Sequence, residues 1–288
     1  MKSVLMLTDF SAAARCAAER ALVIAAQFGA EIWLVNVYPI TPYLPLADTT
    51  VPPMLTADQK RRESMGKLNK EVRRLYRIKF QGLSARRPVI RPIALEGQLA
   101  ERAAALAHRK KSLLIVMGLS ERSYGDVLFR GEVKDVLQQV RCPVLASPAD
   151  RVDVGIRHIL FATDLAAEDE PVIGELVDFA ARLKARLTVG HVSRPVLIPD
   201  FAEESRTLAF GEKIKSLYPA IRYTNPRASN VIEALENVGT EKRVDVIALR
   251  YREHPFWYHL FHENPLKELL THGKIPLLVF PENALFHE

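Results

Sequence analysis

The sequence has few of the residues that would place it among disulfide-rich, metal-binding or membrane proteins. Only two cysteines, Cys16 and Cys142, occur in 288 residues, and they match neither a disulfide framework nor a metal-site spacing. No run of 18 apolar residues occurs, so the sequence predicts no membrane span. Asp9 interrupts the apolar start of the chain too early for a signal peptide. Together these absences predict an ordinary globular protein, and the scarcity of cysteine fits a reducing compartment.

The chain contains one pattern twice. Thr8-Asp9 follows the apolar run at residues 4–7, and Thr163-Asp164 follows a similar run 155 residues later. Pro143-Val144-Leu145 closes the first half, and Pro276-Leu277-Leu278 closes the second. A repeat of this length predicts a duplicated domain rather than a solenoid unit of about 20–50 residues. We place the two domains at residues 1–150 and 151–288.

Each half alternates short apolar runs with stretches that have helical periodicity. Five strands are expected in each half. Because the strands are apolar throughout, they predict a parallel sheet covered by helices on both faces. Pro92 is expected to break the third strand, and the last helix of the first half is expected to begin at Glu132.

Ligands of such folds bind beyond the carboxyl ends of the strands. In the first half, this edge carries Thr8-Asp9, Val37 and Gly118. In the second half, it carries Thr163-Asp164 and Val192, with Arg250 at the position of Gly118. Each aspartate has two interpretations: it contacts a ligand, or it caps the helix that follows.

The residues at these strand ends form a shared, ordered pattern. Strand one ends in Thr8-Asp9 or Thr163-Asp164, strand two ends in Asn36-Val37 or His191-Val192, and strand four of the first half ends in Met117-Gly118. In this order, and with the closing Pro-Val-Leu strand, the chain resembles the universal stress protein family over nearly its whole length.

The resemblance implies two tandem five-stranded parallel α/β domains, similar to adenine-nucleotide hydrolases and packed as an internal pseudo-dimer. Residues 144–146 are then expected to pair with residues 277–280, since a bare edge strand invites pairing. The function implied is regulatory binding in the stress response, in the cytoplasm, with ATP or AMP as a weakly bound ligand and no defined reaction. Self-association into a homo-oligomer stays open.

ATP-binding members of the family carry glycines after strand four that bring backbone N–H groups close to phosphates. The first half keeps Gly118 and Gly131, but Glu121 replaces the second glycine and Glu132 replaces the final hydroxyl. Residues 251–263 contain no glycine, so the loop of the second half is degenerate. The candidate nucleotide-binding residues are Thr8, Asp9, Val37, Gly118, Gly125 and Gly131, with Thr163, Asp164 and Val192 in the second half.

Alternatives of other classes stay open. One is a slow ATP hydrolase or nucleotidyl transferase. Another is a carrier of an apolar or anionic ligand, which would use the aromatic residues of the segment 254–262 or the basic segment described next. His259 and His262, three residues apart, are the candidate metal ligands, although no fixed metal motif matches.

Residues 60–91 carry twelve Lys or Arg and two Glu, a net charge of +10 against +6 for the whole chain. Its helix, expected at 57–79, has an apolar stripe of Met65, Leu68, Val72 and Leu75. The basic residues form either a solvated outer face or a weak site for an anionic partner. We expect Arg73, Arg74 and Arg77 to be replaceable without loss of the fold, because they flank the apolar stripe.

Overall fold

The computed structural model describes most of the chain. The described residues are 2–40, 56–78, 87–119, 128–149, 155–193, 195, 201–241, 243–252, 269–270 and 274–284.

In the described residues of the first half, five strands alternate with four helices. In chain order these elements are β1 (Ser3–Leu7), α1 (Ala12–Phe28), β2 (Glu31–Tyr38), α2 (Ala57–Arg77), β3 (Ile90–Glu96), α3 (Leu99–Lys110), β4 (Ser112–Leu119), α4 (Leu128–Gln139) and β5 (Val144–Pro148).

The second half repeats this alternation. Its elements are β6 (His158–Ala162), α5 (Asp169–Leu183), β7 (Arg186–Gly190), α6 (Phe201–Leu217), β8 (Arg222–Thr224), α7 (Val231–Glu241), β9 (Val246–Arg250) and β10 (Leu277–Phe280).

The ten strands of the described residues form one sheet in the order β3-β2-β1-β4-β5-β10-β9-β6-β7-β8. The second half of this order repeats the first in reverse, so the two halves are related by an internal two-fold. Pairing within each half is parallel, whereas β5 and β10 pair antiparallel, with Leu278 opposite Leu145. The expected pairing of the two closing strands is therefore confirmed.

The core has two layers, one on each face of the sheet. Helices α1, α2, α5 and α6 cover one face, and α3, α4 and α7 cover the other. Each layer continues from one half into the other, and the rings of Phe28 and Phe179 lie 5.1 Å apart where α1 meets α5. Burial of apolar side chains between the two halves therefore stabilises their association in addition to the pairing of β5 with β10.

The prediction that Pro92 breaks the third strand is wrong. Strand β3 runs through Pro92, which lies opposite Leu34 of β2. Because β3 is the edge strand of the sheet, the proline can direct its missing N–H away from the sheet and lose no ladder hydrogen bond.

The apolar stripe of α2 is confirmed, but one of its arginines is not a solvated residue. Leu68 and Leu75 are fully buried. Arg74 binds the buried carboxylate of Glu71 at 2.8 Å and also binds Glu19 of α1. It therefore helps to hold α2 against α1, and the expectation that Arg73, Arg74 and Arg77 can be replaced without loss of the fold stays a prediction.

Candidate functional site

The carboxyl ends of β1, β2 and β4 meet around a cavity of about 100 Å³ in the first half. The strand order places β1 between β2 and β4, so these three ends are neighbours. The cavity is lined by Leu7, Thr8, Asp9, Asn36, Val37, Leu99, Met117, Gly118 and Glu132. Four of the candidate residues, Thr8, Asp9, Val37 and Gly118, are thus brought together.

Thr8 and Asp9 shape the turn between β1 and α1. The hydroxyl of Thr8 accepts a hydrogen bond from the backbone N–H of Phe10 (3.0 Å), and one carboxylate oxygen of Asp9 accepts from that of Ser11 (2.9 Å). These bonds hold Phe10 in the left-handed region, at φ 67°. Ser11, rather than Asp9, caps α1 by accepting from Ala14. The helix-capping interpretation of Asp9 is therefore wrong, although its carboxylate still stabilises the turn.

Asn36 lines the cavity together with its neighbour Val37, the residue that the strand-end pattern indicates. Its amide nitrogen donates to the carbonyl of Thr8 (2.7 Å), and its amide oxygen accepts from the hydroxyl of Ser64 on α2 (2.7 Å). Asn36 thus joins three elements at the cavity. The available signal was its position beside Val37 in the strand-end pattern.

Glu132 brings a second carboxylate to Asp9. Burial raises the pKa of Glu132, and the Asp9 and Asp135 carboxylates raise it further. Among the described residues, Oδ2 of Asp9 and Oε2 of Glu132 are buried and have no hydrogen-bond partner. The cavity is therefore acidic, and it disfavours a polyphosphate.

Gly118 is required by packing. A Cβ at this position would lie 2.3 Å from the backbone nitrogen of Ala14, because the first turn of α1 crosses the end of β4. A close approach between helix and strand therefore explains this glycine without a bound phosphate.

The remaining loop candidates are placed differently. Helix α4 begins at Leu128 and not at the expected Glu132, so Gly131 lies inside its first turn. Gly125 lies outside the described residues, as do His259 and His262. Within the part of the chain that is described, no group of three or more His, Cys, Asp or Glu is placed to hold a metal ion.

The second half builds the same turn. The hydroxyl of Thr163 accepts from the backbone N–H of Leu165 (2.9 Å), and Leu165 has φ 65°. Asp164 accepts from the N–H of Ala166 (3.2 Å). His191 takes the place of Asn36, and its Nδ1 lies 2.9 Å from the carbonyl of Thr163. Since a carbonyl only accepts, Nδ1 carries the proton.

Arg252 binds the carboxylates at the strand ends of the second half. Its guanidinium binds Asp164 at 2.7 Å and Asp169 at 2.9 Å, and these two carboxylate side chains are only 6% and 3% exposed. Asp169 also accepts from the hydroxyl of Thr163 (2.7 Å). Burial and the Asp164 charge raise the pKa of Asp169, against the opposing effects of Thr163 and Arg252. Nothing in the local sequence pattern marks Arg252 as a partner of these carboxylates.

A model of the universal stress protein family matches residues 1–148, the half that contains the acidic cavity. The chain belongs to the universal stress protein family. A search of curated proteins finds no match. Within the described residues, no helix is both long and apolar enough to cross a membrane.

Solved universal stress proteins share the fold along nearly the whole chain. One from Archaeoglobus fulgidus is 15% identical with a TM-score of 0.66, covering 96% of this chain and 97% of that chain. A putative universal stress protein from Pseudomonas aeruginosa is 15% identical with a TM-score of 0.59, covering 96% of this chain and 92% of that chain. At this identity, both similarities concern the fold alone.

Proposed function

We propose that this chain is a cytoplasmic binding and regulatory protein of the stress response, and that only its first half has a ligand site open to an adenine nucleotide. The affinity of that site for ATP is weak. The second half serves as scaffold, because Arg252 already binds the carboxylates at its strand ends.

The observation that carries this proposal is the pair of carboxylates at the cavity of the first half. Asp9 and Asn36 offer polar groups suited to a ribose or a base. Glu132 lies where the resemblance requires a hydroxyl that binds phosphate, and its charge repels one. Affinity should therefore decrease as phosphates are added to adenosine.

Isothermal titration calorimetry of the full chain with adenosine, AMP and ATP tests this order. We expect adenosine to bind at least as well as AMP, and ATP to bind most weakly. Glu132→Gln removes the repelling charge without changing the side-chain size, so it should raise ATP affinity about tenfold, equivalent to about 1.4 kcal/mol. Adenosine affinity should change little in this variant.

Asp164→Asn is the matched control, because it changes the equivalent aspartate in the half that Arg252 closes. It should leave nucleotide binding unaltered, whereas Asp9→Asn should weaken it. Micromolar ATP binding by the wild-type chain that Asp9→Asn abolishes would refute the proposed weak affinity for ATP, and ATP binding more tightly than adenosine would refute the proposed order of ligands.

A further inference from the structure

Helix α2 carries a row of unneutralised positive charge on the face opposite the core. Four exposed residues, Arg62, Lys70, Arg73 and Arg77, lie within about 80° of the helix circumference at 100° per residue. We call these four residues the basic stripe. The row is about 22 Å long at 1.5 Å per residue. Within the described residues, none of the four forms an ion pair with a carboxylate, whereas Arg74 and Lys67 on the neighbouring faces do.

The corresponding helix of the second half shows that the fold does not require this charge. Residues of α2 include eight Lys or Arg and three Asp or Glu, whereas α6 has three of each. Both helices follow the second strand of their half and pack on the same face of the sheet. The net charge of +5 on α2 is therefore a property of this helix and not of its position in the fold.

Gly66 lies in the middle of the basic stripe, and packing does not explain it. Glycine inside a helix is destabilising relative to alanine. A Cβ at Gly66 would meet no atom within 4 Å, so no close neighbour excludes a side chain. Between Arg62 and Lys70, the missing side chain exposes the helix backbone at the centre of the positive row.

We propose that the basic stripe and Gly66 form a docking surface for the phosphate backbone of a duplex nucleic acid. The four cations contact phosphates, and the bare backbone at Gly66 lets the strand approach the helix. A row of about 22 Å parallels roughly six phosphates of one duplex strand, which are spaced about 3.4 Å along the axis. Contacts of this kind position a duplex without reading its sequence.

Two features favour a duplex over other polyanions. The stripe itself contains no aromatic residue on which the bases of a single strand would stack, and the one exposed aromatic ring of α2, Tyr76, already faces Arg87 (5.9 Å) and accepts from the N–H of Ile90 (3.1 Å). It also contains no apolar residue that would enter a lipid layer, and the apolar face of α2 is buried against the sheet through Leu68 and Leu75. The proposal therefore goes beyond the nucleotide site and does not depend on it.

Fluorescence anisotropy of a labelled 24-base-pair DNA duplex, titrated with the full chain at several salt concentrations, tests the proposal. The variant Arg62→Gln, Arg73→Gln, Arg77→Gln keeps Arg74 and thus the contact between α2 and α1. It should lower the affinity about tenfold or more at low salt and reduce the slope of log affinity against log salt by about three. The control Arg206→Gln, Lys215→Gln, Arg222→Gln removes the same charge from exposed positions of the second half.

Each outcome decides the question. Unchanged binding by the control together with the loss in the stripe variant supports the surface. Equal losses in both variants would show a response to net charge alone and refute it, as would stripe-dependent binding to anionic phospholipid vesicles without binding to the duplex. Gly66→Gln, which changes no charge, should weaken duplex binding severalfold, and unchanged affinity would refute the close approach at Gly66. Circular dichroism checks that every variant is folded.

Discussion

The two halves of the chain form the same turn after their first strand, but they place different charges around the aspartate of that turn. Both end their first strand in Thr-Asp, hold the next residue at a positive φ, and bind the threonine carbonyl from the end of the second strand. In the first half, Asp9 keeps one oxygen without a partner among the described residues and faces Glu132. In the second half, Asp164 binds Arg252. Among the described residues, one added cation therefore distinguishes the paired carboxylates of the second half from the acidic cavity of the first.

The two halves also differ in the number of residues between the aspartate of the turn and the start of the next helix. Helix α1 begins three residues after Asp9, whereas α5 begins five residues after Asp164. The early start of α1 brings Ala14 against Gly118, where a side chain cannot fit. In the second half, the same strand position is Arg250. The early start of α1 therefore requires a glycine at position 118, because the helix backbone occupies the space of a side chain there.

The largest effect is expected from removal of the cation that closes the second half. Arg252→Ala leaves Asp164 and Asp169 buried without their partner and should lower the free energy of unfolding by about 3 kcal/mol. Urea denaturation measures this loss. Arg227→Ala is the control, since Arg227 and Glu204 form an exposed pair that should contribute about 0.5 kcal/mol or less. Similar losses in the two variants would contradict a structural role for Arg252.

Gly118→Ala should have the next largest effect, because its Cβ would lie within 3 Å of the α1 backbone. We expect a loss of about 2 kcal/mol in the free energy of unfolding, as for other overpacked sites. Gly66→Ala is the opposite control: its Cβ enters open space, so stability should rise by about 0.5 kcal/mol. Wild-type stability in Gly118→Ala would mean that α1 moves aside at no cost.

The smallest effect concerns the two carboxylates of the open cavity. Since the pKa of Glu132 is raised in the folded chain, its contribution to stability is complete below its unfolded pKa and disappears as the pH rises through the folded value. Wild-type stability should therefore decrease more than that of Glu132→Gln between pH 4 and pH 8. The variant should be about 0.5 kcal/mol more stable at neutral pH, since Glu132 is partly exposed.

The raised pKa of Asp169 affects both proteins equally, so it cancels in this comparison. If the free energies of unfolding of wild type and Glu132→Gln changed with pH in parallel, the folded chain would not raise the pKa of Glu132.

The sequence predicted the elements that depend on local patterns and missed the contacts that depend on distant residues. The strands, the apolar stripe with Leu68 and Leu75, and the pairing of β5 with β10 follow from periodicity, repetition and the family resemblance. Arg252 could not be predicted, because its partner Asp164 lies 88 residues away. The role of Arg74 likewise depends on Glu19 of another helix.

Pro92 likewise shows a difference between what the local sequence predicts and what the position in the sheet allows. A proline weakens a strand in any local analysis, and only the position of β3 at the sheet edge makes it harmless. The strand-end pattern marks Gly118 as a candidate nucleotide contact, and only the fold shows that the first turn of α1 packs against it. The domain boundaries at 150 and 151, and the site residues as ligand contacts, stay predictions.

The antiparallel pairing of β5 with β10 has a consequence for stoichiometry. Two identical subunits that paired at this edge would carry every substitution twice, so the strand ends of both subunits would have the same charges. Here one polypeptide supplies both β5 and β10, so Arg252 can bind the carboxylates of the second half while Asp9 and Glu132 keep the cavity of the first half acidic. The covalent link thus lets the two halves of a symmetric architecture differ at their strand ends, with an acidic cavity in the first half and carboxylates paired with Arg252 in the second.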